Sequence, residues 1–123
     1  MLDDAKLVAF VATSDIDRAR AFYCDVLGLE IVDESPFALV LDANGVQVRV
    51  TPVEEPVVAP YTVLGWQVGD TAAEVRELAM VGVGCERFDG MDQDADGIWT
   101  APGGSRIAWF RDPDGHLLSV TGH

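Results

Sequence analysis

Ser14-Asp15-Ile16-Asp17-Arg18-Ala19-Arg20-Ala21-Phe22-Tyr23-Cys24-Asp25-Val26-Leu27-Gly28-Leu29 is the stretch on which the fold turns. Its apolar residues Ile16, Ala19, Phe22, Tyr23, Val26 and Leu27 recur at three and four residues, the period of one helix face. Ser14 and Asp17 stand at capping-box spacing at its start, and Gly28 supplies the left-handed stop at its end. Just upstream, Leu7 to Ala12 is a short apolar run that reads as a buried strand. Downstream come three further strand candidates, Leu29 to Val32, Phe37 to Asp42 and Val46 to Thr51. The turn signals Ser35-Pro36 and Asn44-Gly45 separate them, and the second is a favoured two-residue hairpin turn. The opening helix therefore belongs to a strand-helix-strand-strand-strand unit.

The same order recurs beyond a connector, Pro52 to Pro60, whose Glu54-Glu55-Pro56 stretch reads as an exposed linker. Thr62 to Val68 is the strand of the second unit. Thr71 and Glu74 form another capping box, Val75, Leu78 and Ala79 give the apolar stripe, and Gly82 or Gly84 ends the helix. Strands are then expected at Glu86 to Phe88, Ile98 to Ala101, Arg106 to Phe110 and Leu117 to Val120. Pro102-Gly103-Gly104 and Asp112-Pro113-Asp114-Gly115 are the turns between them. The acidic stretch Asp89 to Gly97 reads as a loop with no counterpart in the first unit. The sequence thus describes one unit used twice, with an insertion in the second copy.

Composition narrows the classes of function. The 123 residues suffice for one ordinary domain without a disulfide or metal to hold it together. With 49% hydrophobic residues the chain is too apolar for disorder, and no window reaches the uninterrupted apolar length of a membrane span. The N-terminus has two acids before its first apolar run and no basic n-region, so a cytoplasmic location is expected. Twenty-one acidic against eight basic side chains give a net charge of -13, which repels polyanions, so nucleic acid and anionic membrane are excluded as partners. Cys24 and Cys85 lie far apart, with no CxxC pattern and no nearby His, and read as buried structural thiols. Pro102-Gly103-Gly104 lacks the Lys and following helix of a phosphate loop. Asp92, Asp94 and Asp96 alternate loosely like a calcium loop, but the twelfth position from Asp92 is Gly103 rather than Glu.

Two motifs carry a family resemblance. The stretch from Ser14 to Leu29, with its acidic cap, Phe22-Tyr23 and Leu27-Gly28-Leu29, resembles the opening helix of vicinal oxygen chelate (VOC) proteins, the glyoxalase, bleomycin-resistance and dioxygenase superfamily. Trp109-Phe110-Arg111-Asp112-Pro113-Asp114-Gly115-His116 is similar to that family's closing signature, and the two motifs bracket nearly the whole chain. The resemblance implies an α+β, glyoxalase-like fold in which two tandem βαβββ modules form curved mixed sheets around a ligand cup. Residues 1–123 would then be a single domain, with module 6–51 and module 62–121 joined by linker 52–61.

In metal-using members of the family, a His, Gln or Glu near the centre of the first and fourth strands of each module binds the ion. Counting from Asp15 and Asp70, and from Gly45 and Gly115, places Val8, Val63, Arg49 and Ser119 at those four positions. None supplies the oxygen and nitrogen donor set of a catalytic divalent metal, and a shift of one residue restores no ligand set. Strand parity then gives an expected ligand lining of Val8, Phe10, Gln47, Arg49, Val63, Gln67 and Ser119, because residues two apart share a face. Trp109 is similar in position to an aromatic that touches ligand in related cups, and Trp99 is added to it. Trp66, adjacent to Gln67, falls on the opposite face as core or interface. The expected function is metal-independent and cofactor-free binding of an apolar or aromatic small molecule, by a protein that forms homodimers. The alternative is a lyase, isomerase or dioxygenase-like enzyme with a non-standard site, in which Arg49 stabilises an enolate or carboxylate and no acid–base residue can be named.

Overall fold

The computed structural model describes residues 1–123, which divide into two compact units, Met1–Val57 and Val58–His123. In the first, a single 3-10 turn at Leu2–Asp4 precedes β1 (Val8–Thr13) and α1 (Ile16–Arg20), which continues as a π-helical turn over Ala21–Val26. Strands β2 (Glu30–Ser35), β3 (Ala38–Ala43) and β4 (Val46–Pro52) follow. The sheet order is β1-β4-β3-β2, with β1 parallel to β4 and the other pairs antiparallel. Two hairpins bring the chain back from β2 at the far edge until β4 lies beside β1. The β3–β4 turn is Asn44-Gly45, both at positive φ (51° and 93°), as a primed hairpin turn requires.

Strands β1 and β4 alternate regularly, while the β2–β3 register shifts between Ile31 and Asp33. Val11 and Thr13 of β1, Leu39 and Leu41 of β3, and Val48 and Val50 of β4 are all buried, and Ala19, Phe22 and Tyr23 supply the helical half of the same core. The helix differs from the sequence expectation in two respects. It is not a uniform α-helix: the Leu27 N–H donates to the Phe22 carbonyl, five residues back, and the wider turn lets the consecutive Phe22 and Tyr23 both enter the core, edge to face at 5.1 Å. Nor is the cap Ser14 with Asp17. Asp15 is the N-cap and accepts from the Arg18 N–H at 3.1 Å, because the Thr13 hydroxyl engages the Asp15 backbone and carries the extended chain one residue further.

The second unit repeats the topology. It has β5 (Thr62–Gln67), α2 (Thr71–Met80), β6 (Trp99–Thr100), β7 (Arg106–Arg111) and β8 (Leu117–Gly122), in the order β5-β8-β7-β6. Leu64, Trp66, Ala108, Phe110, Leu118 and Val120 share the face toward α2 by strand pairing, and Trp66 stacks on Phe110 at 6.4 Å. Here too the expected cap is displaced by one residue: Asp70 accepts from the Ala73 N–H, while the buried Thr71 donates its hydroxyl to the Arg106 carbonyl at 2.8 Å and ties the helix to β7. No strand forms over Glu86 to Phe88. The Gln93 side chain takes the backbone groups a strand neighbour would have taken, accepting from the Phe88 N–H and donating to the Glu86 and Gly97 carbonyls. The outer strand β6 is consequently only two residues long. No helix of the structure is long and apolar enough to cross a membrane.

Candidate functional site

Each sheet has one face under its helix and one open face, and the open faces hold the residues singled out in the sequence. On the first sheet the pairing produces two rows. Phe10, Arg49, Val40 and Asp33 form one; Val8, Gln47, Asp42 and Glu30 form the other. Phe10 is 67% exposed and Val8 37%, while Gln47 is half-buried. The Arg49 Nε donates to the Gln47 side-chain oxygen at 2.9 Å, which fixes the plane of the guanidinium above the central strand. Next to this row lies a cavity of about 230 Å3 lined by Lys6, Val8, Val32, Asp42 and Gln47.

On the second sheet Ser119 lies between Gly65 of β5 and Trp109 of β7, in register with both. Ser119 is buried, and a Cβ at Gly65 would come within 2.8 Å of its hydroxyl, so glycine there leaves the oxygen its space. Trp109 donates its indole N–H to the Thr62 hydroxyl at 3.1 Å, packs edge to face on Phe88 at 5.5 Å, and lies 6.3 Å from Trp99. Gln67 is exposed, and with Gly65, Ser105 and Thr121 it lines a cavity of about 350 Å3 at the end of β5 and β8. Val63 departs from simple parity. The β5–β8 register shifts between Thr62 and Leu64, so Val63 sits at a bulge and Thr62, paired with Leu117, joins Trp109 on the open face.

The nine expected lining residues therefore fall into two groups: Val8, Phe10, Gln47 and Arg49 in the first unit, and Val63, Gln67, Trp99, Trp109 and Ser119 in the second. Sequence reasoning missed Thr62 and Phe88. Strict alternation from Val63 puts Thr62 on the opposite face because the bulge is invisible in the spacing, and the sequence pattern puts Phe88 in a strand that does not form. The hydroxyl-to-indole pairing carries no sequence signal at all.

The acidic loop is occupied with its own architecture. Asp94 accepts from the Ile98 and Asp96 N–H groups, both at 2.9 Å, and pairs with Arg106, while Arg87 donates to the Asp94 and Ala95 carbonyls. The hydrogen bond from Ile98, the largest influence, holds the Asp94 carboxyl below the usual carboxylate range. No group of three or more His, Cys, Asp or Glu side chains is arranged to hold a metal ion. Burial pushes both the Cys24 and the Cys85 thiol up, the reverse of the shift that activates a nucleophile. The Asp112 carboxylate accepts from the Asp114 and His116 N–H groups and so organises the closing turn.

Comparison with known proteins places these features in a family. The model for the Glyoxalase/Bleomycin resistance protein/Dioxygenase superfamily matches residues 6–120. No curated protein sequence matches the chain. Among solved structures, a member of that superfamily from Sphaerobacter thermophilus is 21% identical with a TM-score of 0.77, over 100% of both chains. A lactoylglutathione lyase from Agrobacterium tumefaciens is 19% identical with a TM-score of 0.74, over 97% of this chain and 93% of that one. TioX from Micromonospora sp. ML1 is 23% identical with a TM-score of 0.73, over 97% and 98%. At these identities the likeness concerns the fold.

Proposed function

The chain belongs to the Glyoxalase/Bleomycin resistance protein/Dioxygenase superfamily, and from that premise we propose that it binds a small, largely apolar or aromatic molecule without the help of a metal ion. One observation carries the reading. Trp109 stands on an open sheet face with its indole pinned by Thr62 and braced by Phe88, beside Trp99 and in register with Ser119. An aromatic wall whose orientation is already fixed loses little freedom when a ligand stacks on it, and a few hydroxyl and amide groups are what such sites use for orientation. On the first sheet, Phe10 and Val8 beside Gln47 and Arg49 repeat the combination of exposed apolar surface and sparse polar groups.

Metal-free operation is supported by the four positions where the resemblance puts ligands. Val8 and Val63 have no donor atom, Arg49 carries a fixed positive charge, and Ser119 offers only a neutral hydroxyl. The same reading places the protein in the cytoplasm as a homodimer. Strands β1 and β5 each lie at the edge of their sheet, and an unpaired edge is an invitation to association.

The test is a thermal-shift screen of aromatic and apolar compounds in the presence of a chelator, repeated on Trp109→Ala. Binders at a hundredfold excess over Kd stabilise by about 2.7 kcal/mol, which raises Tm by several degrees, and the variant loses that shift for the same compounds. No stabilising compound, or a shift seen only after a divalent metal is added, rejects the reading.

A further inference from the structure

Arg49 differs from Arg20, Arg87, Arg106 and Arg111 in having neither a carboxylate nor a backbone carbonyl on its guanidinium. Arg20 is paired with Asp17 and Glu34, Arg106 with Asp94 and Arg111 with Glu86, while Arg87 is held by two carbonyls. Arg49, in a chain with 21 acidic side chains, has only the amide oxygen of Gln47 on its Nε. That bond orients the guanidinium and leaves its two terminal nitrogens unoccupied. In-register neighbours on either side are apolar, Phe10 and Val40. Lys6, a second cation, lines the adjoining cavity.

We propose that Arg49 is the recognition point for a singly charged carboxylate on the ligand, whose apolar body lies along Phe10 and Val8. The inference rests on the small-molecule-binding reading above and names the ligand's chemistry. A neutral molecule covering this row would strip water from a guanidinium and leave it unpaired, a cost that excludes tight binding. A carboxylate instead meets the planar fork with two parallel charge-assisted hydrogen bonds. The acids limit how much negative charge the ligand brings. Asp42 and Glu30 occupy the neighbouring row, with one Asp42 oxygen engaged by the Gly45 N–H, and Asp33 ends the Arg49 row. A dianion such as a phosphate monoester therefore meets about twice the repulsion that a monoanion does.

Three probes sharing one ring system separate the alternatives: 1-naphthoate, the neutral 1-naphthamide and 1-naphthyl phosphate, each titrated into 15N-labelled protein and followed by amide shifts. The expected result is shifts on β1 and β4, with naphthoate binding roughly tenfold or more tighter than naphthamide and tighter than the phosphate. In Arg49→Gln the preference for acid over amide collapses to within about twofold, while Arg49→Lys, which keeps the charge but loses the fork, retains part of it. Equal affinity for acid and amide, or a preference that survives Arg49→Gln, overturns the carboxylate proposal and leaves the binding reading standing. Tightest binding by the phosphate overturns the limit to a monoanion. No shift on either sheet's open face with any probe counts against both.

Discussion

Single residues in this chain divide into those that hold the fold and those left over, and Asp94 and Trp109 show the difference. Asp94 is committed: its carboxylate closes the acidic loop on two backbone N–H groups and an arginine. Those bonds place its folded-state pKa below that of an unfolded aspartate. Its stabilising contribution is therefore present at neutral pH and fades as the pH falls through the carboxylate range. Asp94→Asn should accordingly be less stable than the parent at about pH 6, with the gap narrowing toward about pH 3; denaturant midpoints across that range measure it. A gap independent of pH would mean that the loop needs only the shape of the side chain. Trp109 is held just as firmly by Thr62 and Phe88, yet it lies on the face turned away from the α2 core.

At the scale of elements, the two helices are set by aspartates one residue away from the positions that spacing singles out. Asp15 and Asp70 both accept from the N–H three residues on, and a carboxylate at a helix start also complements the positive end of the helix dipole. Asp70→Ala is expected to cost about 1 kcal/mol of stability, measured by urea unfolding, whereas the capping-box reading of Glu74 predicts that Glu74→Ala is the costlier change. The strands were the more legible elements. Alternation in Val8–Thr13 and Val46–Pro52 has a period of two, so the faces of Phe10 and Arg49 could be read by counting. Counting fails where one residue is inserted, as at Val63, and where a side chain replaces a strand, as Gln93 does beside Glu86 to Phe88. Neither a bulge nor a side-chain substitute for a ladder bond leaves a periodic trace. The π-helical turn at Ala21–Val26 is hidden for the same reason, since Phe22-Tyr23 fits an α-helical stripe almost as well.

For the whole molecule, the duplicated βαβββ unit is the feature that both the repeat and the end motifs foretold, and in each copy the first strand lies beside the fourth. The two copies are not equivalent in content. All three tryptophans lie in the second unit, whereas the first presents Phe10 and a guanidinium without a carboxylate partner on its open face. Family membership does not decide between binding and catalysis, because a shared fold hosts many chemistries; the side chains on these faces carry the distinction. Ligand binding by this chain is expected to need no metal. Calorimetric titration of chelator-treated protein with a compound from the thermal screen tests it most directly, run with and without Mn2+, Fe2+, Ni2+ or Zn2+. The same affinity is expected in every case, to within about twofold; binding that appears only when one of these ions is added, or conversion of the compound that depends on it, would contradict metal-free binding.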